Sequence, residues 1–239
     1  MAEGLYQLGD SLTWSPTSAP QGQLVLLEDC VEAGGAFLVH HFTSLFLKAG
    51  HRVCFVASAN SPEHYAAGVN FATCQAKKQL QVLNWTKFDT GSNWTTLFEK
   101  LSNFVKEEET AVSIVLDDIS ALKWQFGDAA VLNFVRCCKT LTHDKNVAAN
   151  VVLLSHADTD LPTSTPLSPA LADMANVVLM TKPLTTGYSK DIHGTLLVCR
   201  QSQGLSLSSL HDEPTAIPYK ILDSTIKCFH SGGEALRWN

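Results

Sequence analysis

The sequence has no run of apolar residues approaching the roughly 18 that a membrane-crossing helix needs, and its start, MAEGLYQLGD, has no basic stretch leading into an apolar core. Neither a secretory leader nor a membrane partner is expected. A basic excess is also missing: 17 Lys and Arg stand against 23 Asp and Glu, a formal net charge of −6. Chains that hold nucleic acid unaided usually carry the opposite balance, so stand-alone RNA or DNA binding is disfavoured. The seven cysteines (Cys30, Cys54, Cys74, Cys137, Cys138, Cys199, Cys228) form no C-x-x-C pair, and several sit inside apolar runs. Reduced, buried thiols in a cytoplasmic or nuclear protein are expected, with no disulfide and no metal site. G-x-S-x-G is absent, and so is G-x-G-x-x-G after the first strand, which argues against a serine hydrolase and a Rossmann-type enzyme.

What remains is an ordinary globular composition, 45% apolar and 17% charged over 239 residues. Apolar strands alternate with helical segments. QLVLLE (23–28), RVCFVAS (52–58), LQVLNW (80–85), AVSIVLDD (111–118) and NVVLLSH (150–156) read as strands. GAFLVHHFTSLFLKAG reads as a helix closed by Gly50, and SPEHYAAGVNFATCQA as one opened by Ser61 and Pro62. Trp94, Leu97, Phe98, Leu101, Phe104 and Val105 follow the helical rhythm. Such alternation predicts an α/β fold with a mostly parallel sheet flanked by helices. After residue 156 the pattern changes. No long helix is evident there, and NVVLMTK, GTLLVCR and IPYKILDSTIKCF read as antiparallel strands, with LDST as a tight turn. The expected layout is a loose arm at 1–20, one domain at 21–232 and a short tail at 233–239.

The first strand runs into a loop and a helix, where a phosphate loop of the form G-x-x-x-x-G-K-[ST] would sit. That loop works by backbone N–H groups that cradle phosphate, a lysine that neutralises it and a hydroxyl that ligates magnesium. Here the octet is Glu28, Asp29, Cys30, Val31, Glu32, Ala33, Gly34 and Gly35. Lysine and hydroxyl are both missing, and three carboxylates crowd a place meant for a polyanion. A helix dipole offers only about half a charge against them. The stretch therefore reads as a strand–loop–helix without NTPase chemistry, and no cofactor is expected.

SIVLDD (113–118) has the form of a Walker B strand, with Asp117 and Asp118 where magnesium would be held; His156 closes a following strand. Without the lysine these read as structural residues. His40 and His41 lie about 100° apart on a helix, so they cannot share a metal; with Leu38, Phe42, Leu45 and Ala49 as the buried stripe, His41 falls at its edge and His40, Leu47 and Lys48 face outward. Cys138 falls inside an apolar stripe and reads as core. His64 and His193 read as turn or interface residues.

LEDCVEAGGAFLVHHF, VCFVASANSPEHYAAGV, IVLDDISALKWQFGDAAVLNFVRCCKTL, VVLLSH and PLTTGYSKDIHGTLLV, in that order from about residue 20 to 230, resemble the Elongator complex protein 6 family. At 84–93 the chain is shorter than the family pattern, which carries an insertion there. The resemblance implies a RecA-like P-loop NTPase fold with a degenerate Walker A loop. It implies a non-catalytic scaffold subunit that joins two RecA-like paralogues in a heterohexameric ring, within the Elongator complex that modifies C5 of wobble uridine in tRNA. Radical chemistry then belongs to another subunit, and tRNA is met through the ring. In RecA-like rings a loop after the Walker B strand meets nucleic acid. Here that segment is ALKWQFG, whose Lys123 and Trp124 join a charge to a stacking surface. The corresponding later loop, 157–170, carries Asp158 and Asp160 and no basic residue. The rival expectation is an active NTPase using a divergent loop.

Overall fold

The structure is a computed structural model that describes residues 12–62, 65, 78–85, 93–107, 110–144, 147–157, 167–187, 189–201, 215–222 and 226–229. Its strands are β1 (Leu24–Asp29), β2 (Arg52–Ala57), β3 (Leu80–Asn84), β4 (Val112–Leu116), β5 (Asn150–His156), β6 (Val177–Lys182), β7 (Gly194–Arg200), β8 (Thr215–Ile221) and β9 (Ile226–Cys228). Its helices are α1 (Ala36–Lys48), α2 (Trp94–Lys106), α3 (Ser120–Phe126), α4 (Asp128–Leu141) and α5 (Leu167–Met174). The strands form one sheet in the order β3-β2-β4-β5-β1-β6-β7-β8-β9.

From β3 to β6 every neighbouring pair is parallel, and β6 to β9 pair antiparallel. The central strands are apolar at successive positions because both faces are covered. In β1, Val25 and Leu27 face a core with Leu38, Phe42 and Phe46 of α1. Leu24 and Leu26 face the opposite core, with Leu97 and Leu101 of α2 and Phe134 of α4. β2 and β5 split the same way: Phe55 and Val152 belong to the first core, Cys54 and Val151 to the second. Each fully buried Phe or Leu contributes roughly 1.5–3 kcal/mol of transfer free energy.

Three features differ from the sequence expectation. β6 pairs antiparallel with β7, as expected of this end, but on its other side it is parallel to β1. A parallel return needs a crossover, and α5 supplies it; its Pro169 lies in the first turn, where the missing N–H costs nothing, and the helix is only eight residues long. ALKWQFG folds as α3 rather than as a loop. On α1 the buried arc is wider than the stripe of Leu38, Phe42 and Leu45, and it takes in His41 and Leu47, 5% and 8% exposed. The arm also reaches this helix: Leu12 is fully buried in the same core, and the Trp14 ring meets Phe42 edge-on at 6.1 Å.

The helix beginning at Ser61 lies mostly outside the described residues, as do His64, Cys74, Asp158, Asp160, the turn at 223–225 and the tail at 233–239. The other six cysteines are free, and Cys138 is fully buried, its thiol pushed up by desolvation. Among the described residues, no helix is long and apolar enough to cross a membrane.

Candidate functional site

Parallel strands gather functional groups at their C-terminal ends, because each strand there hands over to a loop. In this sheet β2, β4, β5 and β1 end side by side. They bring together Ser58, Asp117, Asp118, His156 and Asp29. Asp29 and His156 are direct register partners, being the last residues of the paired strands β1 and β5.

The loop after β1 closes on itself. Ala33 donates its N–H to the Cys30 carbonyl at 3.0 Å, leaving Val31 and Glu32 at the tip, with Val31 89% exposed. The Thr181 hydroxyl on β6 donates to the Ala33 carbonyl at 2.5 Å and ties the loop to the sheet. Gly34 has open space around it, but a Cβ on Gly35 would stand 3.0 Å from that of Asp29. This closeness has a purpose. Gly35 is the N-cap of α1 and has no capping side chain of its own; its N–H instead donates to Oδ2 of Asp29 at 2.6 Å. A carboxylate from within the chain thus sits at the helix N-terminus, where a phosphate loop would place its phosphate.

The other oxygen, Oδ1 of Asp29, meets Nδ1 of His156, and Nε2 of the same ring lies 3.4 Å from Oδ2 of Asp118. Hydrogen bonds to Asp118 and Asp29 raise the His156 pKa to about 10, against the opposing effect of burial. The ring is therefore a cation at neutral pH, placed between two carboxylates. Asp118 is held in turn: its Oδ1 accepts the Ser120 N–H at 2.7 Å at the start of α3. The Ser120 hydroxyl then accepts the His156 backbone N–H at 3.0 Å.

Asp117 is saturated in a different way. It accepts the Ser58 N–H at 2.7 Å, the Ser58 hydroxyl, the Ala59 N–H at 3.2 Å and the Tyr65 hydroxyl. Burial and the bond to Asp117 push the Tyr65 phenol up, so it stays a donor. Glu28, also buried, accepts the Ser168 hydroxyl from α5. The three carboxylates at the ends of β1 and β4 (Asp29, Asp117 and Asp118) are thus engaged by groups of the chain itself. Among the described residues no cluster of His, Cys, Asp and Glu is arranged to hold a metal.

Lys123 and Trp124 lie on α3. Lys123 approaches Asp128 at 3.7 Å with a side chain only 10% exposed, while Trp124 is 71% exposed. His193 supports the hairpin, its Nδ1 accepting the Ile221 N–H at 3.1 Å. Ser58, Tyr65, Ser120 and Ser168 are the site residues that pattern reading passed over. Only Ser58, directly after an apolar strand in FVAS, gave a local signal.

The profile of the family described as Elongation complex protein 6 matches residues 5–88 and 91–223, with its break inside the 84–93 segment. Elongator complex protein 6 of Homo sapiens is 29% identical over 95% of this chain and 97% of its own length. The relative of the same name from Xenopus tropicalis is 27% identical over the same shares. Among solved structures, a KaiC-like protein from Pyrococcus horikoshii superposes with a TM-score of 0.61 at 15% identity, covering 89% of this chain and 92% of that one. The fold is accordingly RecA-like.

Proposed function

The chain belongs to the Elongation complex protein 6 family, and on that footing we propose that it is a non-catalytic RecA-like scaffold subunit of Elongator. In this reading it joins two paralogous RecA-like subunits in a heterohexameric ring. The ring meets tRNA and supports wobble-uridine C5 modification, in the cytoplasm or nucleus. The relatives named Elongator complex protein 6 support the assembly part of the reading.

One observation carries the non-catalytic part: the Asp29 carboxylate occupies the N-terminus of α1. A triphosphate entering there would bring its negative charge against Asp29, and no loop lysine is present to offset it. Of the two aspartates at the place where magnesium would be held, Asp117 has its oxygens taken by Ser58, Ala59 and Tyr65, and Asp118 faces His156. Neither group can serve a nucleotide without giving up hydrogen bonds that the fold uses.

For tRNA, the exposed ring of Trp124 is the better contact than the paired Lys123, since stacking needs an open face. The experiment is calorimetric titration of ATP with magnesium into the isolated chain and into the assembled ring lacking the paralogues' own sites. No binding heat attributable to this chain is expected. Micromolar binding abolished by Asp117→Ala would replace the reading with that of an active NTPase.

A further inference from the structure

We infer that the Asp29–His156–Asp118 bridge is a built-in substitute for bound nucleotide and metal, holding the loop at 30–35 closed on α1 without any ligand. In a working phosphate loop three parts lie in series: an anion at the helix N-terminus, a cation beside it, and the Walker B carboxylate on the cation's far side. The same series is present here in protein atoms. The anion is Asp29, bonded to the Gly35 N–H at 2.6 Å. The cation is the His156 ring, whose Nδ1 meets Asp29. The far carboxylate is Asp118, 3.4 Å from Nε2.

The bridge links the ends of β1, β5 and β4 to the first turn of α1, the connections a bound ligand makes in a nucleotide-dependent relative of this fold. Thr181 fastens the loop from the other side, its hydroxyl donating to the Ala33 carbonyl. What the closed loop presents is its tip, with Val31 exposed. The bridge makes that presentation permanent, so any surface built on the tip is independent of nucleotide.

The inference rests on the reading of the chain as a pseudo-ATPase, and the two can fail separately. The test is amide hydrogen exchange on the full chain, comparing the parent with Asp29→Ala and His156→Ala, each with and without ATP and magnesium. In the parent the Gly35 amide is expected to be protected and unmoved by ATP. In both variants Gly35 exchange should rise on the order of tenfold, the loss of one charge-assisted hydrogen bond. Ser58, whose N–H is held by Asp117 outside the bridge, and Leu153 in mid-strand should keep the parent rate and report an intact fold. Unchanged Gly35 exchange in both variants, or slowing of the parent's Gly35 by ATP, overturns the inference.

Should either alanine variant not fold, Asp29→Asn keeps the shape and removes the charge. Gly35 exchange in this variant should still exceed the parent's; an unchanged rate also overturns it. A ring that assembles while Gly35 ignores the variants defeats the bridge alone. A chain that shows the exchange response but joins no paralogue defeats the functional reading alone.

Discussion

Ser58 and Asp117 are joined across the ends of β2 and β4, the Ser58 N–H donating to Oδ1 of Asp117 at 2.7 Å and the Ser58 hydroxyl donating to the same oxygen. Together with Ala59 and Tyr65 they turn one of the two Walker B-like aspartates into a bracket between strands. Asp117→Ala should strand several buried donors and cost about 3 kcal/mol of stability, read by denaturant unfolding. A residue kept only to ligate metal would give no such loss in metal-free buffer.

His41 is buried on α1 with neither ring nitrogen hydrogen-bonded. Removing a buried unpaired polar ring relieves its desolvation penalty, so His41→Leu, of similar volume, should raise stability by about 1 kcal/mol. The check is a thermal melt, in which an unchanged or lower midpoint would contradict the packing.

The two perturbed histidines act on opposite sides of neutrality. Burial, aided by Lys48, lowers His41 to about 4 from 6.5, so the unfolded chain binds the proton that the folded one refuses. Stability from this group is complete above 6.5 and is lost as pH falls toward 4, at most about 3 kcal/mol at 1.36 kcal/mol per unit. His156 is raised to about 10, so its contribution is complete below 6.5 and is lost as pH climbs toward 10. Its ring is 40% exposed, and solvent screening makes this the smaller arm. A pH series of unfolding free energies should peak near 6.5; His41→Leu should flatten the acid limb and leave the alkaline one.

Gly194 opens β7 where the chain passes close to two neighbours. A Cβ there would lie 2.7 Å from both the Lys182 carbonyl oxygen and the Tyr219 hydroxyl. The carbonyl belongs to the paired strand and cannot swing away, so Gly194→Ala should destabilise by about 2 kcal/mol or more. Equilibrium unfolding measures it.

On α3 the two residues singled out for tRNA should separate. Trp124→Ala is expected to weaken tRNA binding by the assembled ring severalfold, in line with about 1–3 kcal/mol for one stacked base. Lys123→Ala should do less, because Asp128 already engages the ammonium. Fluorescence anisotropy at several salt concentrations separates the two: a Lys123 phosphate contact would lower the salt slope.

The parallel core was legible because Val25, Phe55, Val115 and Val152 lie in apolar runs that only a two-sided burial explains. The absent lysine was equally plain. The role of Asp29 was not, since a carboxylate in a loop has no periodicity and its partners lie 6 and 127 residues away. α5 was hidden by its shortness and by Pro169, and with it the parallel placement of β6. A helical wheel drawn on α1 alone puts His41 only at the edge of the stripe; its burial depends on the rest of the fold, which the wheel does not contain.

The claim that this chain is a scaffold subunit is tested most directly by co-expressing it, tagged, with the two paralogous RecA-like Elongator subunits and weighing the purified assembly by native mass spectrometry. The account predicts a ring holding all three subunits in equal numbers, formed without added ATP. A monodisperse, stable monomer that leaves both paralogues behind would contradict it.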